Sequence, residues 1–187
     1  NIIPFTHIFI FDMIKLKQIL QEDRRKLRIF DFDDTLAKTD SYIYVQKADG
    51  SELTLDPGEY AVYKERPGDK FDFRDFNKML RNPRAIKKNM DLIKRALRDP
   101  ENRVTVLTAR ALGYPMKHFF KTQHGIDPYI VPVAGADPRL KVKFIEDHIK
   151  RGYTDIFFLD DSPKNVAAVK RLKTKYPNIK LDVQLAK

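Results

Sequence analysis

The segment Arg28-Ile29-Phe30-Asp31-Phe32-Asp33-Asp34-Thr35-Leu36 decides how the rest of the chain is read. An apolar, β-prone run ends at three carboxylates within four residues, and these repel one another unless protons or a cation neutralise them. The pattern points to a metal site at the carboxyl end of a strand. Asp31 and Asp33, two apart on extended backbone, are placed to share one divalent ion, with Asp31 close to any phosphate the same ion binds and Thr35 following as a hydroxyl donor. An isolated Asp-x-Asp would read more simply as an acidic turn closing a strand. Partners further along the chain favour the site.

Outward from this stretch, 187 residues suit one domain with a substantial core and a small appendage. A hydrophobic content of 42% with 33% charged residues excludes a disordered chain. The net charge of +10 and pI of about 9.6 favour acidic partners such as nucleotides, nucleic acid or phosphorylated surfaces. The densest basic clusters, Arg24-Arg25-Lys26 and Lys170 to Lys175, read as solvated helix faces. With no cysteine there is no disulfide framework or thiolate zinc site, and the four histidines lack ligand spacing. Asn1 to Phe11 is apolar but has no basic flank and is too short to span a bilayer, so it reads as neither signal nor anchor. Asp12 is placed to cap a helix over Met13 to Arg25, and Met13 is the expected start of translation; a native mass that includes Asn1 to Asp12 would refute this. Residues 1–26 are thus expected to form an extension and helix, and residues 27–187 the functional domain.

Past the acidic strand end, Ser41 to Leu55 alternates around the turn dipeptide Asp49-Gly50, which predicts a hairpin lying over the carboxylates as a flap. Asp56 to Asn82, rich in Pro, Gly and aromatics, reads as loop and short elements, and residues 41–82 together as a flap or small cap. Its Tyr and Phe residues suit either a small core under the flap or stacking on a base. From Pro83 the pattern becomes regular. Helices are expected over Pro83–Arg98, Tyr114–His124 ended by Gly125, Pro138–Arg151 and Pro163–Tyr176. Strands are expected over Arg103–Leu107, Tyr129–Val133, Asp155–Leu159 and Ile179–Val183. This alternation predicts an α/β three-layer sandwich, Rossmann-like, around a parallel sheet of about five strands. Such sheets bind ligands outside the carboxyl ends of their strands. Those ends carry Asp31 and Asp33, then Thr108-Ala109-Arg110, then Asp160-Asp161-Ser162, with Lys141 in the helix between the last two.

Each residue type suits a role in phosphoryl transfer. Asp31 would attack phosphorus to give an aspartyl-phosphate, and Asp33 would protonate the leaving oxygen and then activate water. Mg²⁺ on Asp31 and the Asp160/Asp161 pair would offset the charge of a phosphate dianion met by an anionic nucleophile. Thr108 and Lys141 would stabilise the equatorial oxygens. Ser162 or Asp161 would also cap the helix that begins at Pro163, and Asn165, one turn in, could reach the site. Asp34 and Asp137 stand close by in sequence as supporting candidates.

The order Asp31-Phe32-Asp33-Asp34-Thr35-Leu36, Thr108, Lys141, Asp160-Asp161 resembles the four motifs of the haloacid dehalogenase-like (HAD) superfamily of phosphohydrolases, from about Leu27 to the end. The resemblance implies that Asp31 is the nucleophile and Asp33 the acid/base. It also implies that Mg²⁺ is held by Asp31, the backbone carbonyl of Asp33 and one of Asp160 or Asp161. The stretch Asp137-Pro138-Arg139-Leu140-Lys141, with His148-Ile149 and Asp160-Asp161, is similar to phage polynucleotide kinase-phosphatases and favours Lys141 over Lys143. Arg110 matches a substrate-contacting Arg of those phosphatases, whereas Tyr42 stands where they carry another Arg. Small phage-encoded HAD-like proteins are similar overall, which implies the cytoplasm, including that of a phage-infected bacterium. The implied activity is Mg²⁺-dependent hydrolysis of a phosphomonoester, a nucleotide or a polynucleotide end, with Thr35, Arg110 and Asn165 as substrate contacts. A minimal cap implies an open site of the kind associated with bulky substrates. No membrane and no obligate protein partner are expected. A protein phosphatase of the same fold, a non-catalytic nucleic-acid-binding module on the same scaffold, and a regulatory subunit docking through the flap are the rivals.

Overall fold

A computed structural model describes residues 25–187. The expected helix over Met13 to Arg25 and the expected start at Met13 lie outside those residues, save for Arg25, which belongs to a strand and not to a helix. In chain order, β1 (Arg25–Phe30) leads through a tight turn to β2 (Ala37–Lys38), β3 (Ile43–Gln46) and β4 (Glu52–Leu55). There follow α1 (Pro57–Val62), β5 (Lys70–Asp72), a 3₁₀ turn at Arg74–Asn77, and β6 (Arg84–Ala85). The regular part is α2 (Lys87–Arg98), β7 (Asn102–Thr108), α3 (Tyr114–His124), β8 (Tyr129–Pro132) and α4 (Pro138–Lys150). It ends with β9 (Tyr153–Asp160), α5 (Pro163–Lys170), α6 (Leu172–Lys175) and β10 (Lys180–Leu185).

The central sheet is parallel throughout, in the order β10-β9-β1-β7-β8. Its inner strands are covered on both sides, so the period-two alternation of a strand feeds two cores. Leu27 and Ile29 of β1, Ile156 and Phe158 of β9, and Leu107 of β7 pack with Ile145 of α4, Val169 of α5 and Leu172 of α6. The neighbouring positions Phe30, Val104, Val106 and Leu159 face the other way, against Met90 and Ile93 of α2 and Met116, Phe119 and Phe120 of α3. Phe32, two residues past the end of β1, meets the rings of Phe119 and Phe120 edge-on at 5.8 and 5.7 Å, which fixes the backbone of the acidic stretch against a helix.

Two expected helices differ from the sequence reading. Pro83 begins no helix, because Arg84 and Ala85 pair antiparallel with Lys38 and Ala37, and α2 starts only at Lys87. The last helix breaks at Arg171, leaving α5 and α6. By contrast, α3 runs from Tyr114 to His124 and stops at Gly125, which takes the left-handed conformation (φ 64°) that glycine reaches without a Cβ penalty.

The hairpin β3–β4 forms around Asp49-Gly50, but it belongs to a three-stranded antiparallel sheet, β4-β3-β5. Residues 56–82 thus hold more regular structure than a loop. Asp56 and Glu59 form a capping box for α1, with Pro57 in its first turn, and Tyr60, Tyr63, Phe71 and Phe73 pack on Ile43, Val45, Leu55 and Phe76. The cap therefore has its own small core.

Asp75 anchors it. Buried in the 3₁₀ turn, its carboxylate accepts from the Tyr42 amide (3.3 Å), the Tyr44 hydroxyl (3.2 Å) and Lys78 Nζ (3.3 Å). Burial alone would push its pKa up, but these donors hold it below the usual carboxylate range. Asp75→Ala orphans those donors, and we expect it to cost about 1–3 kcal/mol. Hydrogen exchange should show the loss confined to β3 and β5, and unchanged protection there would refute the anchoring role. No helix among the described residues is long and apolar enough to cross a membrane.

Candidate active site

The strand order places a topological switch between β1 and β9: the chain leaves β1 toward β7 and β8 on one side, then returns to build β9 and β10 on the other. Crevices of parallel sheets open at such points, beyond the carboxyl ends of the strands. Here Asp31 and Asp33 follow β1, and Asp160 and Asp161 close β9. The Asp31 amide donates to Leu159 O (2.9 Å), so the two chains stay in register as they enter the site.

Asp160 is completely buried and fully engaged. It accepts from Lys141 Nζ (2.7 Å), the Ser162 amide (2.9 Å) and Asn165 Nδ2 (3.0 and 3.1 Å). Lys141 lies one turn into α4, whose start is fixed by Asp137 as N-cap and Pro138. Its Nζ also donates to Asp31 Oδ1 (2.6 Å), bridging the first and last acidic motifs. Lys143 is exposed and pairs with Asp147 (2.7 Å), which leaves Lys141 as the lysine of the site. Among the described residues Asp161 has only the Thr35 hydroxyl at 3.4 Å, so of the late pair it is the carboxylate left there without strong compensation.

Four of the expected site residues have partners within the protein itself. Asp33 lines the cavity, but its carboxylate is turned away from the other acids: Arg110 Nε donates to Oδ2 (2.9 Å) and Nη2 to Oδ1 (2.7 Å). The carboxylates that converge are Asp31, Asp160 and Asp161, with oxygens all within 4.8 Å of one another. Arg110, expected on the substrate, is almost completely buried and acts on Asp33; Nη2 also donates to Thr39 and Ser41 (3.1 Å each), and its Cζ lies 4.4 Å from the centre of the Phe76 ring. Thr35 and Asn165, also expected on the substrate, hold Asp161 and Asp160, although Asn165 does reach the cavity wall. Thr108 stands at the end of β7 as expected. It is fully buried, and its Oγ1 accepts from the Arg110 amide (3.2 Å), which leaves the hydroxyl proton free to donate. Sequence reasoning missed Thr39 and Ser41, and also Asn89, whose Nδ2 donates to Thr35 O (2.8 Å); nothing in their spacing marks them.

The electrostatics suit a cation. When all are ionised, Asp31, Asp33, Asp160 and Asp161 carry four negative charges against two positive charges on Lys141 and Arg110, a difference that one divalent ion would offset. Burial, only partly offset by Lys141 and reinforced by Asp160, pushes Asp31 up to about 7; burial with Asp31 and Asp160 close by pushes Asp161 up to about 8. Lys141 is held well above its ordinary value, because Asp31 and Asp160 outweigh the cost of burying it. Three carboxylates with no imidazole or thiolate form a hard-oxygen set that suits Mg²⁺.

Protons and the ion compete for these carboxylates. Because both acids are raised above their unfolded values, the metal-free fold binds extra protons and loses stability as pH rises through about 7 to 8. We expect the midpoint of urea unfolding in EDTA to fall between pH 6.5 and 9, and the slope to flatten in millimolar Mg²⁺. Parallel curves with and without Mg²⁺ would show that the cluster takes no ion.

No protein-family model, curated protein or solved structure matches the chain, so the functional reading rests on the residues of the cleft.

Proposed function

We infer that the chain is a HAD-like phosphomonoester hydrolase working through an aspartyl-phosphate on Asp31, with a nucleotide or a polynucleotide end as substrate. The observation that carries this is the convergence of Asp31, Asp160 and Asp161 on Lys141 at the switch point of the sheet, with Asp33 on the same cavity. Asp31 and Asp161 would hold Mg²⁺, with Asp160 beside them held by Lys141, and the ion when bound supplies positive charge against the phosphate dianion.

The chain's own groups do the rest. An oxygen of Asp31 attacks phosphorus as the bond to the leaving oxygen breaks, and Asp33 gives that oxygen a proton. Water then attacks the phosphorus of the aspartyl-phosphate, yields a proton to Asp33 and frees Asp31 with release of inorganic phosphate. Lys141, which lines the cavity, would hold the transferring oxygens, with the buried Thr108 hydroxyl behind it at the end of β7. Arg110 keeps Asp33 at the cavity edge, and one Asp33 oxygen must leave the guanidinium to reach the substrate.

Phosphate release from a panel of phosphomonoesters, with Mg²⁺ and with EDTA, tests the reading. Activity that needs Mg²⁺ and rises in half-saturating concentration on Asp161→Asn is expected. Activity indifferent to EDTA would refute it, and salt-sensitive nucleic-acid binding without hydrolysis would favour the non-catalytic module instead.

A further inference from the structure

Beside the carboxylates lies a cavity of about 270 Å³ whose two sides differ in kind. The cap contributes Ile43, Tyr60, Phe73 and Phe76. The loops after β7 and β8 contribute Ala109, Ala111, Ala134 and Ala136, and are joined to each other by hydrogen bonds from the Val133 amide to Thr108 O (2.9 Å) and from the Gly135 amide to Ala109 O (3.0 Å). One side is thus aromatic and the other is built of methyl groups.

The aromatic side is preformed. Tyr60 and Phe73 meet edge-to-face at 5.5 Å, Phe73 and Phe76 at 6.0 Å, and Phe71 supports Tyr60 from behind at 5.5 Å. No cap residue on the cavity is charged, and its polar groups there are the Tyr60 hydroxyl and Asn77. Lys164, at the start of α5, is the one basic side chain on the cavity besides Lys141, and it donates across to Tyr63 O (3.3 Å), tying the cap to the body.

We propose that this slot receives an aromatic ring in the leaving group, so that the substrate is a phosphomonoester of about mononucleotide size and not a polynucleotide end or a phosphoprotein. The inference rests on the hydrolase reading for the position of the phosphate. Its own support is separate. A polynucleotide would have to pass further phosphates along an apolar slot whose lining, among the described residues, offers one lysine besides Lys141. A polyol leaving group would strand its hydroxyls against methyl groups and rings. A planar ring matches both sides, and the volume lies just below the usual range of ligand pockets, about 300–1,000 Å³. The minimal cap thus leaves a small slot that is open along its loop side, where Ala109, Ala111, Ala134 and Ala136 are exposed.

The test compares a nucleoside 5′-monophosphate with ribose 5-phosphate, which share the leaving alcohol and differ only in the base. Phenyl phosphate and a 5′-phosphorylated dodecanucleotide are run beside them. The mononucleotide should exceed ribose 5-phosphate in kcat/KM by at least about tenfold, within what one stacked base contributes. That ratio should collapse in Ala136→Leu, which fills the slot from an exposed position, and in Phe73→Ala. Because phenol leaves more readily than an alcohol, phenyl phosphate supports the slot only through a lower KM that is lost in Phe73→Ala, and a KM no lower than that of ribose 5-phosphate counts against it. A ratio near one, or the dodecanucleotide matching the mononucleotide, would overturn the proposal.

Calorimetry on Asp31→Asn with Mg²⁺ separates the two readings. A mononucleotide preference in binding without turnover by the wild type upholds the slot and sinks the hydrolase. Asp31-dependent turnover without preference does the reverse.

Discussion

Asp31→Asn is expected to lower Mg²⁺-dependent phosphate release by at least about 10³-fold while raising the melting temperature of the metal-free protein. The first effect follows from the role proposed for Asp31: an amide cannot attack phosphorus, and neighbours organised around a missing nucleophile leave only residual activity. The second follows from charge. Asp31 is buried beside Asp160 and Asp161 with one ammonium for all three, and its pKa of about 7 means that the fold pays to ionise it. Removing that charge at pH 8 should gain about 1–2 kcal/mol, or about 2–8 °C for a chain of this length.

The sign can be checked against pH. Below about 7 the wild-type carboxyl is already protonated, so the advantage of the variant should shrink by pH 6. Added Mg²⁺ should raise the wild type and leave the variant nearly where it was. Phosphate release at the wild-type rate would remove Asp31 from the chemistry. A lower melting temperature at pH 8 would mean that the Asp31–Lys141 pair serves the fold more than repulsion harms it.

How far the sequence carried this picture depends on the range of each interaction. Strand and helix periodicity is local, and it placed the five parallel strands and α3 with Gly125 within a residue or two. Strand ends are local too, so the acidic ends, Thr108 and Lys141 were legible as a set. The cap was not, because α1, β5 and the 3₁₀ turn are each six residues or fewer, too short for a period to show, and they are held by rings that meet only in three dimensions. Pairing was also hidden. Asp33 and Arg110 stand 77 residues apart, and spacing within a motif cannot say that a buried guanidinium will take both oxygens of one aspartate while the other acids converge on one another. Thr35 and Asn165 were found as polar residues near the site, yet it took the fold to show that their partners are Asp161 and Asp160. The choice within Asp160-Asp161 was of the same kind: one is saturated by Lys141, Ser162 and Asn165, and the other is left with a single long contact.

Lys141→Met should be the most damaging single change to the fold among these site residues, and its severity should depend on pH. The side chain is buried, and methionine fills a similar volume, so packing is largely kept while the charge is lost. Asp31, Asp160 and Asp161 then face one another with no counter-ion, and breaking a buried pair by removing one partner costs about 3–5 kcal/mol. At pH 8 urea unfolding should record a loss of that order. As pH falls toward 6, protons replace the missing ammonium on carboxyls whose pKa values are raised further in its absence, and the loss should diminish.

Mg²⁺ should also recover part of the stability, because a divalent ion in the cluster neutralises the same charges. It should not recover activity. In the proposed reaction the ammonium that bridges Asp31 and Asp160 also meets the transferring oxygens, and its removal should cost about 10²–10³-fold in kcat even in the metal-stabilised protein. A variant that is destabilised equally at pH 6 and pH 8 would show that Lys141 acts through packing alone. One that regains both stability and turnover with Mg²⁺ would show that its charge serves the fold and not the reaction.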